Sequence, residues 1–136
     1  MKILLVDDDP VSLRILKEIV AAEPGHETTE ASSGEQAWKL LNNPALFFDV
    51  VFLDVSMPET DGLQVLNRIR DSQILRSLRV VMCTATSDRE TVDKVIKHGI
   101  RHFIVKPATA PLVHAKLRQI QTEIAAESAS RPKRRA

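Results

Sequence analysis

Four short apolar runs limit what this chain can fold into: ILLV (3–6), VVFL (50–53), VVMC (80–83) and HFIV (102–105). Each is rich in β-branched or aromatic residues and too short for a helix, so each reads as a strand. Their hydrophobicity is continuous rather than alternating, which predicts strands buried on both faces, as in a parallel sheet. HETTEA (26–31), after the turn signal Pro24-Gly25, is more polar and reads as an edge strand.

Helical periodicity fills the gaps. Val11, Leu13, Ile15, Leu16, Ile19 and Val20 form a wide apolar face after Pro10, a residue suited to a first helical turn. Ala37, Leu40 and Leu41 mark a second helix, with Ser33 as its cap and Asn43-Pro44 ending it. Leu63, Leu66 and Ile69, continuing into Arg70, follow Gly62. Val92, Val95 and Ile96 run up to Gly99, and Leu112, Val113, Leu117, Ile120 and Ile124 follow Pro111. Five βα units in succession predict a doubly wound α/β domain with right-handed crossovers. The domain is read as residues 1–127. The tail at 128–136, SASRPKRRA, is polar and basic without apolar period and reads as disordered.

Composition excludes several classes. The hydrophobic fraction of 43% is enough for one core, and 18 acidic residues against 19 basic ones leave a formal charge of +1. No overall field therefore points to nucleic acid or membrane. No apolar run approaches the length of a membrane span, and MKILLVDDD is too short and too acidic for a signal peptide, so a soluble cytoplasmic protein is expected. The single cysteine, Cys83, rules out an internal disulfide and reads as a small buried hydrophobe.

The chemistry follows the strands. Asp7, Asp8 and Asp9 come after ILLV, Asp54 after VVFL, Thr84 after VVMC, and Lys106 before Pro107 after HFIV. In an open parallel sheet ligands bind at the carboxyl ends of the strands, so four strands deliver polar groups to one rim. Carboxylates gathered there repel one another unless a cation intervenes. Hard oxygen donors suit Mg²⁺, which leaves room for phosphate oxygens; with a lysine and a hydroxyl they form a site for phosphoryl transfer. Asp9, just before Pro10, reads as a helix cap rather than a ligand.

LLVDDDP, LDVSMPETDG, the Thr-Ala of CTATS, and FIVKP, in this order and spacing, resemble the receiver domain of bacterial two-component response regulators, of the chemotaxis-Y type. The resemblance covers residues 2 to about 120. It implies a flavodoxin-like five-stranded parallel sheet of order 2-1-3-4-5 with five helices. It implies that Asp54 accepts a phosphoryl group from a sensor histidine kinase or phosphotransfer protein. Asp8, Asp54 and the backbone carbonyl of Ser56 would ligate Mg²⁺, with Asp7 acting through water. Lys106 would pair with the carboxylate and then the phosphoryl group, Thr84 would bond a phosphoryl oxygen, and Phe103 would act as an aromatic switch. Partners would dock on the fourth helix, fifth strand and fifth helix, roughly 88 to 124: a downstream protein, a lost output domain, or a second copy after phosphorylation. The chain departs from the family pattern at Phe103, where many relatives have tyrosine, at Ala108 after Lys-Pro, and at Ile100 after Gly99.

Other readings fit less well. A phosphatase of the haloacid dehalogenase type wants a second aspartate two residues after the nucleophile, where this chain has Ser56. A flavin carrier wants a donor-rich loop after the first strand, where this chain has three aspartates. A phosphorylation-independent scaffold is the remaining alternative. A signalling role rather than a metabolic enzyme is expected. His26, His98, His102 and His114 show no ligand spacing and read as surface or loop histidines. Trp38 reads as half-buried packing. The basic residues Arg131, Lys133, Arg134 and Arg135 read as a solvated tail, with nucleic acid disfavoured as a partner.

Overall fold

Parallel strands in the order β2-β1-β3-β4-β5 form the centre of the computed structural model. It describes residues 1–55, 57, 62–85, 89–97 and 99–130. The elements are β1 (Lys2–Val6), α1 (Pro10–Ala21), β2 (Glu27–Ala31), α2 (Gly34–Leu41), β3 (Val50–Asp54), α3 (Gly62–Asp71), β4 (Arg79–Thr84), α4 (Arg89–Lys97), β5 (His102–Val105) and α5 (Ala110–Ser130).

Why the apolar runs are continuous is now visible. Successive strand residues point to opposite faces. Leu4, Val6, Val51, Leu53 and Met82 meet Val65, Leu66 and Ile69 of α3 on one side. Ile3, Leu5, Val50, Phe52 and Val81 meet Leu13, Leu16, Val113, Leu117 and Ile120 of α1 and α5 on the other. All five residues of β3 are buried, whereas β2 buries only Ala31, as an edge strand allows.

Local chemistry sets the helix ends. The Asp9 carboxylate accepts from the Val11 N–H and starts α1. Ser33 accepts from the Gln36 N–H at 3.1 Å, and Gln36 Oε1 accepts from the Ser32 N–H in return. At the end of α4, Gly99 takes φ 74°, and the Ile100 N–H reaches the Val95 carbonyl.

Three expectations need correction or extension. Of the histidines read as surface or loop groups, His26 does lie in the α1–β2 connection, but His102 is in β5 and His114 in α5, and none is a surface group: their side chains are 2%, 5% and 19% exposed. Each has a polar partner on at least one ring nitrogen, although the buried Nδ1 of His102 has none among the described residues. His102 Nε2 lies 3.1 Å from Glu123, His114 Nε2 is 2.8 Å from the Ile19 carbonyl, and His26 is 3.5 Å from Glu23. His98 lies outside the described residues. The expected apolar face of α1 is only partly used, because Val11 and Ile15 remain exposed. Finally, α5 runs to Ser130, three residues into the stretch read as tail. Arg79 at the start of β4 binds both Glu123 and Glu127, pinning the last turns to the sheet, and Ala125, Ala126 and Ala129 are strong helix formers. Residues 131–136 lie outside the described residues. Among the described residues, no helix is long and apolar enough to cross a membrane.

Candidate functional site

Asp7 and Asp8 follow β1, and Asp54 and Thr84 are the last residues of β3 and β4. Lys106 follows β5, joined to Pro107 by a cis peptide bond. The ladder sets them side by side: Asp54 pairs with Cys83 and Thr84 with Val105. The Lys106 N–H donates to the Thr84 carbonyl at 2.7 Å, extending the sheet by one rung.

Carboxylate oxygens of Asp7, Asp8 and Asp54 lie within 4.8 Å of one another. Asp7 and Asp54 are buried and Asp8 is exposed. Lys106 Nζ is 2.6 Å from Asp7 Oδ2 and 3.5 Å from Asp54 Oδ1. The other Asp7 oxygen accepts from the Asp9 N–H. Lysine is thus held chiefly by Asp7, whereas the family pattern led to the expectation of a pair with Asp54. Asp9 turns away to cap α1 and to bond Ser12, which holds its carboxyl below the usual range, as do the Val11 N–H and, weakly, Lys106.

The electrostatics show which ligand this arrangement favours. Burial, followed by the Asp7 charge, pushes the Asp54 carboxyl up to about 7 against the opposing pull of Lys106. Burial works to lower the Lys106 ammonium, but the Asp7 hydrogen bond and the Asp54 and Asp7 charges outweigh it and hold it above its ordinary value. One ammonium does not balance three carboxylates. An all-oxygen donor set with an excess of negative charge fits a hard divalent cation. Cys83, nearby, is no competing nucleophile, because burial pushes its thiol up to about 12.

Backbone packing holds Asp54 in place. The Gly62 N–H donates to the Val55 carbonyl, and a Cβ on Gly62 would lie 2.2 Å from the Asp54 carbonyl oxygen. Only glycine permits that approach, which ties α3 to the end of β3. In the sequence Gly62 marked only the point from which the third helical pattern follows. Phe103 is half-buried against the core on the α3 side of the sheet. Ser56 lies outside the described residues.

A doubly wound parallel domain with an acidic, lysine-bearing rim at its strand ends defines a class of signalling modules. The chain belongs to the response regulator receiver domain family, whose model matches residues 3–118. It is therefore a receiver of the two-component type, in a family that generally signals rather than carrying out metabolic catalysis. It is 37% identical over 120 residues to chemotaxis protein CheY-3 of Vibrio cholerae serotype O1, covering 88% of this chain and 91% of that protein. To chemotaxis protein CheY1 of Helicobacter pylori it is 31% identical, covering 86% and 94%. A CheY-like receiver structure from Methanospirillum hungatei superposes with a TM-score of 0.82 at 24% identity, covering 93% and 97%, and shares the fold.

Proposed function

We propose that this receiver is switched by phosphorylation of Asp54. The observation that carries the reading is the convergence of three carboxylates and one lysine around the end of β3. A carboxylate oxygen of Asp54 attacks the phosphorus of a phosphohistidine on a sensor kinase or phosphotransfer protein. The P–N bond breaks, the imidazole leaves with its electron pair, and an acyl phosphate remains on Asp54.

Asp8 and Asp54 would hold Mg²⁺, with the Ser56 carbonyl as a further ligand and Asp7 acting through water, as the family pattern implies. Bound there, the ion would neutralise charge on the carboxylates and on the incoming phosphoryl oxygens. Lys106 leaves Asp7 to meet the phosphoryl group, and Thr84 donates its hydroxyl to it. Phe103 moves into the space Thr84 vacates, and the surface of α4, β5 and α5 changes its partner preference. Exposed Ile96, Val105 and Leu112 on those elements, 55%, 37% and 50% accessible, suit such a docking face. The downstream protein, an output domain or a second copy of the chain binds one state better and shifts the population toward it.

The test is incubation with Mg²⁺ and acetyl phosphate, followed by intact mass, beside Asp54→Asn and a beryllofluoride-treated sample. One phosphate on the native chain and none on the variant is the expected result. No adduct and no beryllofluoride complex would leave the phosphorylation-independent scaffold as the better account.

A further inference from the structure

The end of the sheet opposite Asp54 carries a feature that phosphorylation does not use. The α2–β3 connection (42–49), the α3–β4 connection (72–78) and the last turns of α5 enclose a groove of about 590 Å³. Its walls include Leu41, Phe47, Phe48, Ile74, Leu75 and Ile124. Ile74 is 89% exposed and Phe47 66%. Side chains so exposed contribute little to folding, so stability does not account for two large apolar groups at one groove.

Ser77, Leu78, Arg79 and Glu127 line both this groove and a second cavity of about 350 Å³, so the two adjoin across the Arg79–Glu127 pair. Four arginines, Arg70, Arg76, Arg79 and Arg101, line the second cavity against two glutamates, Glu123 and Glu127. Arg79 already engages both glutamates. Arg70 donates to the Arg76 and Leu78 carbonyls. Its guanidinium is held below its usual value by burial and by the Arg79 charge. Among the described residues, Arg76 and Arg101 form no ion pair with a carboxylate. Asp49, the groove's other carboxylate, accepts from the Lys2 N–H. Among the lining residues, four arginines stand against Asp49, Glu123 and Glu127, so the walls carry a small positive excess beside the apolar cleft.

We propose that these two adjoining cavities together bind a small anionic amphiphile, with an alkyl or aryl body in the groove of Phe47 and Ile74 and an acidic head laid across the shared wall beside Arg76 and Arg101. The volume suits a small molecule, and an apolar wall with a few charged groups is the usual build of such sites. The occupant is a free monomer rather than a bilayer, because the groove is concave. It touches Arg79 and Glu127, the pair that pins the end of α5, and leaves the Asp54 rim open.

The probe is octanoate, kept monomeric and titrated into the full chain while backbone amide shifts are followed, with octanol and anionic phosphatidylglycerol vesicles in parallel. Saturable shifts confined to 42–49, 72–79 and 124–127 are expected. Phe47→Ser with Ile74→Ser should weaken octanoate at least about tenfold. Arg76→Gln with Arg101→Gln should weaken octanoate roughly tenfold and leave octanol unchanged. All four substitutions are at solvent-facing positions, and an unchanged melting curve checks that each variant folds. No saturable shift by roughly 10 mM, shifts elsewhere, or equal affinity for octanol and octanoate overturns the proposal. Binding to the vesicles alone also overturns it and marks a membrane contact instead.

Discussion

Lys106 sits 0.9 Å closer to Asp7 than to Asp54, at 2.6 Å against 3.5 Å. The lysine is therefore committed to the carboxylate that the proposed chemistry does not phosphorylate. Asp54 is left buried, beside a second negative charge, with a weaker share of the only ammonium found near it among the described residues. The behaviour of the site without metal follows from that asymmetry.

Stability should fall as pH rises through the neutral range when divalent cations are removed. Asp54 keeps its proton in the folded chain up to about 7, against an ordinary value of 3.8 when unfolded. Between those values the folded state binds more protons, so its stability declines with rising pH. The contribution is complete below the unfolded value and lost above the folded one, on the order of a few kcal/mol. Asp54→Asn should remove the decline and be the more stable protein at pH 8 in chelator, read from urea midpoints. Adding Mg²⁺ to the native chain should restore stability increasingly above pH 7. A native midpoint independent of pH from 5 to 8 would contradict this.

Lys106→Gln should retain the fold and lose the fixed positive charge at the phosphoryl position. Loss of one charged donor of this kind costs about 10²–10³ in rate. Phosphorylation by acetyl phosphate should slow by about that factor, with Mg²⁺ affinity preserved or raised because an opposing cation has gone. Stopped-flow fluorescence or timed intact mass separates the two effects.

Gly62→Ala should be among the most damaging small substitutions outside the acidic rim. A methyl 2.2 Å from the Asp54 carbonyl oxygen forces backbone apart where β3 meets α3. Overpacking of this kind costs about 1–3 kcal/mol or more. Both the urea midpoint and the rate of Asp54 phosphorylation should drop, since the shift displaces Asp54 itself.

Asp9→Ala separates capping from chemistry within the acidic triplet. It removes the acceptor for the Val11 N–H and the Ser12 hydroxyl and should cost about 1 kcal/mol. Phosphorylation yield with saturating Mg²⁺ should stay within about twofold of native, a loss of less than 0.5 kcal/mol. A loss as large as that of Asp8→Asn would place Asp9 among the ligands.

The sequence carried the architecture because a doubly covered parallel sheet needs uninterrupted apolar runs, and ILLV, VVFL and VVMC have no polar residue to dilute the signal. It carried the rim for a similar reason: each polar residue directly follows such a run. What it did not carry depends on contacts between distant segments. Val11 and Ile15 match the helical period of Leu13 and Leu16 yet stay in water, because periodicity gives the width of a stripe but not how much of it the neighbouring elements cover. His102 and His114 looked like scattered polar residues because their partners, Glu123 and the Ile19 carbonyl, lie 21 and 95 residues away. The preference of Lys106 for Asp7 is likewise a matter of ångströms between chain ends, which no local pattern encodes.

The clamp of Arg79 on Glu123 and Glu127 has a mechanical consequence. A helix of 21 residues is a rod about 32 Å long, and its far end is tied to the first residue of β4 instead of fraying into solvent. The helix axis as far as Glu127 therefore keeps a direction fixed relative to the sheet. A tilt of a few degrees where β5 hands over to α5 would then displace the far end by about 2–3 Å, if the clamp slides with it. If the clamp holds, the same tilt is stored as bending. The ion pairs of Arg79 therefore decide whether α5 behaves as a lever or as a spring.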